Sequence, residues 1–161
     1  MKVISLFLEI ARWAVVLVAV VLLASMFGGD EVSDADPETV TAAVLETVDL
    51  SNMVEAENQM IKRLYGLNPA DYASCTLYYP TTNMGAEELL LVKLRDTDQQ
   101  ETVRTAIEAR LETQKNTFEG YGVEQFDLLS NYSVIEIRGN YVLFVVSSAC
   151  DAAKTAFNDA L

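Results

Sequence analysis

The stretch YSVIEIRGNYVLFVVS, Tyr132 to Ser147, decides the fold. Apolar residues recur on both sides of Gly139-Asn140, a pair that favours a two-residue hairpin turn. A turn of this length fixes the register, so we expect Arg138 to lie opposite Tyr141. One face of the hairpin then carries Ile135, Ile137, Val142, Phe144 and Val146. The stretch is therefore predicted to be a β-hairpin with an apolar face.

The order strand, strand, helix occurs twice in the chain. YASCTLYYP and EELLLVKLR, residues 72–80 and 87–95, have strand patterns, and residues 96–120 have a helical one. The hairpin and a C-terminal helix repeat this order over residues 132–161. We therefore expect an α+β fold, with a four-stranded antiparallel sheet built from two β-β-α units and both helices on one face.

The second face of that sheet is predicted to be apolar as well. It carries Leu89, Leu91, Val134, Tyr141, Leu143 and Val145. Such a surface is too apolar to stay open to water. Two short N-terminal helices, one after Pro37 and one at residues 57–67, are expected to cover it. The alternative is a bound partner, and Tyr141 is then a candidate partner-binding residue.

The N-terminus carries an uncharged apolar run, WAVVLVAVVLLASMF, at residues 13–27. With the two glycines that follow, it reaches the about 17 residues that a membrane span needs. Met26 and Phe27 stand where a signal peptide requires small residues, so an uncleaved anchor is favoured over a cleaved signal peptide. Lys2 and Arg12 predict that the preceding end stays in the cytoplasm.

These patterns divide the chain into three parts. Residues 1–29 are predicted to be a membrane anchor, and residues 30–36 a flexible acidic tether. Residues 37–161 are predicted to form an extracytoplasmic α+β domain. The protein is thus expected to be a single-pass protein of the cell membrane, with its C-terminal domain outside the cytoplasm.

Composition excludes several chemistries. The 161 residues include 24 acids and 11 bases, for a net charge of −13, so the surface repels nucleic acid. There is no histidine, which removes serine-histidine and cysteine-histidine nucleophiles and histidine zinc sites. Cys75 and Cys150 are interpreted as two separate buried thiols, with a disulfide as the alternative. We predict no catalytic residue, no cofactor and no bound metal.

GYGVEQFDLLSNY, residues 120–132, links the long helix to the hairpin. We interpret it as a packed connector, with Phe126 and Leu129 buried and Tyr121 at least partly buried. In the alternative interpretation, Tyr121 and Phe126 frame a binding groove and are candidate partner-binding residues.

Three carboxylates in or beside the connector suggest a second function. A sugar hydrolase needs a carboxylic acid and a carboxylate about 5–10 Å apart. Glu119, Glu124 and Asp127 are close enough in sequence to come together. Two carboxylates held close in a cleft, at least one of them buried, would favour a small envelope hydrolase.

Four blocks of the chain, RLYGLNPADY, NMGAEELLLVKL, RLETQKNTFEGYGVEQFDLL and GNYVLFVVS, resemble a known family. It is the domain of unknown function 4358 family, exported proteins of clostridia and their relatives that are membrane-anchored or lipoprotein-type. The resemblance covers about residues 58–148. It implies an envelope location and assigns no catalytic residue. Because this chain has no cysteine near its apolar run, lipid attachment does not carry over.

Together these observations predict a non-catalytic, membrane-tethered binding or accessory module of the bacterial envelope. Its expected contacts are the membrane, through the N-terminal helix, and an envelope protein as partner. The alternative is the small hydrolase that uses carboxylates of residues 119–127.

Overall fold

A computed structural model describes Trp13 and residues 32–161. The predicted anchor, apart from Trp13, lies outside the described residues. Within the described part, no helix is both long and apolar enough to cross a membrane. The compact unit that contains the sheet spans Val32–Leu161, so it begins ahead of the predicted boundary at residue 37.

The described residues form five helices and five strands. In chain order these are α1 (Pro37–Leu45), β1 (Met53–Glu55), α2 (Asn58–Tyr65), β2 (Ser74–Pro80), β3 (Glu88–Lys93), α3 (Gln100–Phe118), α4 (Val123–Asn131), β4 (Ser133–Arg138), β5 (Tyr141–Val146) and α5 (Cys150–Asp159). Single 3₁₀ turns lie at Pro69–Asp71 and Thr97–Gln99. The α+β class is confirmed.

The sheet is antiparallel, as predicted, but its described strands number five and run in the order β1-β2-β3-β5-β4. The prediction of four strands is wrong because it missed β1. Met53 of β1 pairs with Pro80 at the end of β2, and Thr81 donates to the carbonyl of Asn52 at 2.9 Å. A three-residue strand is too short to show an alternating pattern.

The hairpin has the predicted register. Arg138 lies opposite Tyr141, and Ile135 lies opposite Phe144. Gly139 has φ +52°, the left-handed conformation that a tight hairpin turn uses and that glycine adopts without strain. β5 also pairs with β3 along its whole length, so the hairpin supplies a central strand of the sheet.

Helices cover both faces of the sheet, and the prediction that both repeat helices share one face is wrong. On the first face lie α2, α3 and α4, and on the second lie α1 and α5. The reason is the apolar second face of β3 and β5, which has to be covered. The chain turns immediately after β5, where Cys150 donates to the carbonyl of Ser147 at 3.0 Å. The stripe of α5 formed by Ala153 and Phe157 then packs against that second face.

Two hydrophobic cores result, one on each face. The buried members of the first core include Ile61, Leu77, Leu90, Val92, Ile107, Phe118, Leu129, Val142, Phe144 and Val146. Those of the second include Val40, Val44, Leu89, Leu91, Tyr141, Leu143, Val145, Cys150, Ala153 and Phe157. The second face is therefore covered by the chain itself, by α1 as predicted but by α5 in place of α2.

The segment before α1 is bonded to the sheet. Ser33 donates its backbone N–H to Asn140 Oδ1 at 2.8 Å, and the Asn140 amide donates to the Ser33 carbonyl at 3.2 Å. The carbonyl of Ala35 accepts from Lys93 Nζ at 2.8 Å and from the Tyr141 hydroxyl at 2.6 Å. Residues 32–36, predicted to belong to the tether, thus belong to the folded unit.

Candidate functional site

The candidate site is built on a buried glutamate. Glu88 begins β3, and the alternation of the strand places its side chain on the first face with Leu90 and Val92. Only 1% of Glu88 is exposed. A buried carboxylate is costly unless it is paired and hydrogen-bonded, so its surroundings decide what it does.

Three side chains give the Glu88 carboxylate four hydrogen bonds. Oε1 accepts from the Tyr65 hydroxyl and from Arg110 Nε, the latter at 3.1 Å. Oε2 accepts from Arg110 Nη2 at 2.8 Å and from Gln114 Nε2 at 3.1 Å. The arginine contact is bidentate, the geometry in which guanidinium and carboxylate planes match best. We call these four residues the Glu88 network.

The network joins three elements of the first face. Tyr65 is the last residue of α2, while Arg110 and Gln114 are one turn apart on α3 and project from the same side of that helix. Together they bind α2 and α3 to the start of β3. Sequence reasoning missed this network. Two features of the sequence could have indicated it. Glu88 stands at the start of an apolar strand, and Arg110 and Gln114 are four residues apart on the long helix, next to its apolar stripe.

The environment fixes the charges of the network. Burial, followed by the neighbouring Glu88 charge, raises the pKa of Tyr65 well above its usual value, so its hydroxyl remains a donor. Burial works against the charge of Arg110, but the hydrogen bonds and charge of Glu88 outweigh it and raise the pKa of Arg110. Because donors already occupy both oxygens of Glu88, this carboxylate is suited to holding structure rather than to taking a proton from a substrate.

A cleft of about 430 Å³ lies over the network, between α2, α3 and the loop that joins β2 to β3. We call it the basic cleft. Its lining includes Arg63, Leu64, Tyr79, Asn83, Arg110 and Gln114. None of the side chains that line it is a carboxylate, although the chain has more than twice as many acids as bases.

A second cleft of about 360 Å³ lies on the other side of the same loop. We call it the acidic cleft, because Glu87 and Glu124 line it. Thr82 and Gly85 line both clefts, so the two are neighbours separated by the β2–β3 loop. Both volumes are within the range of small-ligand sites, about 300–1,000 Å³.

The structure does not bring the three predicted partner-binding residues together. Tyr121 is 62% exposed, with its ring 6.0 Å from that of Phe118, and Phe126 is 38% exposed on α4. Tyr141 is fully buried in the second core, where its ring meets Phe157 edge-on. Burial of Tyr141 follows from coverage of the second face by α1 and α5.

The connector is a helix, and its predicted burial is only partly confirmed. Leu129 is buried as predicted, but Phe126 is exposed, so its predicted burial is wrong. Tyr121 is mostly exposed and is only partly covered, beside the ring of Phe118. The reason is the short helix α4, which places Leu129 towards the core and turns Phe126 outwards. Gly120, at φ +87°, allows the sharp turn between α3 and α4.

The connector carboxylates are on the surface. Glu119, Glu124 and Asp127 are all exposed, and Asp127 accepts a hydrogen bond from Asn131 at 2.7 Å. Of the three, Glu124 lines the acidic cleft, together with Glu87. Among the described residues, no group of three or more potential ligand side chains is placed to hold a metal ion.

The two cysteines are unbonded and lie on different faces of the sheet. Cys75 packs against the first core and Cys150 belongs to the second. Burial raises the pKa of Cys75 to about 12, so the thiol stays protonated at neutral pH. The structure therefore agrees with two separate thiols rather than with a disulfide.

Comparison with known proteins gives a family and no characterised relative. No curated protein matches this chain, and no solved structure matches it. The model of one family, Domain of unknown function (DUF4358), matches residues 46–147. That range holds all five described strands, α2 to α4 and the Glu88 network, while α1 and α5 lie outside it. The chain belongs to the DUF4358 family.

Proposed function

We propose that this chain is a non-catalytic, membrane-tethered binding module of the bacterial cell envelope, with its α+β domain outside the cytoplasm. Its ligand, a component of the envelope, binds in the basic cleft. The N-terminal apolar run supports the tether, and the acidic surface of the domain argues against a nucleic-acid ligand.

The observation that carries the proposal is the organised floor of the basic cleft. Glu88 uses Nε and one Nη of Arg110, so three of the five guanidinium N–H donors are not used by that contact. About 15% of the Arg110 side chain remains accessible, and the residue lines the cleft. The Glu88 contact fixes the guanidinium in one orientation, which lowers the entropy cost of binding a ligand.

A hydrolase remains the second candidate, on one specific observation. Glu124 of the connector and Glu87 line the same cleft, so two carboxylates face a common space. Neither of them is buried, and a general acid of a glycosidase usually needs a buried, apolar setting. The arrangement of these carboxylates therefore supports binding better than catalysis.

Site-specific photo-crosslinking in the native bacterium tests the proposal. A photoreactive amino acid is placed at Asn83, which lines the basic cleft and is exposed, in the otherwise unchanged full chain. The matched control carries it at Glu108, which is exposed on α3 outside both clefts. Both positions accept a bulky side chain without disturbing a core.

We expect a discrete adduct from position 83 and none from position 108, with both chains in the membrane fraction. Adducts of equal yield from the two positions would overturn the choice of cleft. Recovery of the full chain in the cytoplasmic fraction would overturn the tether.

A further inference from the structure

We propose that the ligand of the basic cleft is a short linear peptide with a free carboxylate and a free amino group. The peptide lies across the β2–β3 loop, with its carboxylate in the basic cleft and its amino group in the acidic cleft. This inference rests on the proposed function and names the chemistry that the site recognises.

The charges on the two sides of the loop carry the first step. Arg63 and Arg110 line the basic cleft. Glu88 already balances the charge of Arg110, so Arg63 supplies the excess positive charge and Arg110 supplies the N–H donors that Glu88 leaves unused. A guanidinium binds a carboxylate in matched, often bidentate geometry, and such charge-assisted hydrogen bonds are among the stronger ones in proteins. The basic cleft therefore suits the anionic end of a ligand.

The acidic cleft decides which anions are acceptable. Glu87 and Glu124 line the acidic cleft, which shares Thr82 and Gly85 with the basic cleft. A polyanion long enough to enter both clefts would place negative charge against these carboxylates, which is unfavourable. A ligand with opposite charges at its two ends is attracted at both.

The uncharged lining fits a peptide between those ends. The exposed Asn83 offers an amide group, which can donate to and accept from a peptide backbone. Met60, Leu64 and Tyr79 give the same cleft an apolar wall for small side chains. An extended peptide of four residues spans about 13–14 Å, enough to bridge two adjoining clefts of this size.

Calorimetry on the full chain in detergent tests the proposal with a defined probe. The probe is tetra-alanine with both ends free, compared with its N-acetylated and C-amidated forms, each of which lacks one charge. The variants are Arg63→Gln and Glu124→Gln, both at exposed positions, where we expect no loss of folding. Lys62→Gln and Glu119→Gln, exposed and outside both clefts, are the matched controls.

We expect each loss of charge, in the peptide or in the protein, to weaken binding about tenfold. Each protein variant should have no further effect on the peptide that lacks the charge it binds. Arg63→Gln should not weaken binding of the amidated peptide further, and Glu124→Gln should not weaken binding of the acetylated peptide further. The two control variants should bind like the original chain.

Other outcomes separate this inference from the proposed function. If no peptide form binds while the Asn83 position still gives its specific adduct in cells, the binding module stands and the peptide ligand is wrong. If the peptide binds equally well to all variants, or if the pairing is reversed, the assigned orientation is wrong. Loss of both the adduct and peptide binding overturns the two proposals together.

Discussion

Glu88 shows how one residue can organise a surface that it does not itself reach. It lies below the basic cleft with 1% of its area exposed, and its charge is balanced by Arg110 at the cleft floor. A buried ion pair adds little net stability, because desolvation offsets the attraction. Its value here is positional, since it holds α2, α3 and β3 in one arrangement and fixes the guanidinium that faces the cleft.

Removing one member of this pair should be costly. Arg110→Met leaves the Glu88 carboxylate buried without its cation, and we expect it to lower the free energy of unfolding by about 3–5 kcal/mol. Urea unfolding of the chain from Val32 measures this. The double variant Glu88→Gln with Arg110→Met carries no unpaired charge and should recover at least half of the loss. A single variant within about 1 kcal/mol of the original chain would contradict the role of the pair.

Tyr141 makes stability depend on alkaline pH. Burial and the nearby Asp36 carboxylate raise its pKa from the usual 10 to about 12. Its folded pKa exceeds its unfolded pKa, so this contribution is complete below pH 10 and is lost as pH rises through 12. A difference of this size corresponds to at most about 3 kcal/mol.

Urea unfolding at pH 9 and at pH 11.5 checks this prediction. Stability should fall between the two, and the fall should be smaller in Tyr141→Phe, which has no ionisable hydroxyl. Part of the fall should remain, because burial also raises the pKa of Tyr65. An identical fall in the variant would show that Tyr141 is not responsible.

At the scale of the element, α4 exposes an aromatic side chain, Phe126, that the sequence predicted to be buried. Phe126 is 38% exposed on this helix, whereas Phe118, at the end of α3, is 1% exposed. Phe126→Ala should therefore cost only about 1 kcal/mol, and Phe118→Ala about 3–5 kcal/mol. Melting curves of the two variants give the comparison. Equal losses would mean that α4 is packed differently from the structure described.

The extent of what the sequence could predict also differs from element to element. The β4–β5 register was predictable because a two-residue turn leaves no freedom of pairing. The helix faces were not, because β3 and β5 are apolar on both sides and each helix stripe matches either face. The exposure of Phe126 was not predictable either. Phe126 and Leu129 are apolar and three residues apart, so helical periodicity places both on one apolar stripe.

The candidate site was less predictable than the fold. The local pattern of a sequence indicates which side chains face water and which face a core. The Glu88 network depends instead on contacts between residues 22 to 26 positions apart, which no local pattern indicates. The aromatic residues of the connector drew attention because they were large and close in sequence. The arginines of the basic cleft did not, because a charged helix face is usually only solvated.

At the scale of the whole molecule, the folded unit includes the segment before α1. A chain that starts at Pro37 loses the Ser33 contacts with Asn140, the Ala35 carbonyl that accepts from Lys93 and Tyr141, and the Asp36 cap of α1. We expect it to be about 5 kcal/mol less stable than a chain that starts at Val32, given about 1 kcal/mol for each of the four bonds and the cap. Both should unfold cooperatively. Equal urea midpoints would show that residues 32–36 contribute nothing.

The central claim is that this protein works by binding at the basic cleft, and hydrogen–deuterium exchange tests it most directly. Exchange is compared between the full chain in native membrane vesicles, where its ligand is present, and the same chain purified in detergent. We predict slower exchange in the vesicles for residues 81–84, the exposed part of the loop between the two clefts, and no change for α1 and α5 on the other face of the sheet. Unchanged exchange in that loop, or protection confined to α1 and α5, would contradict the account.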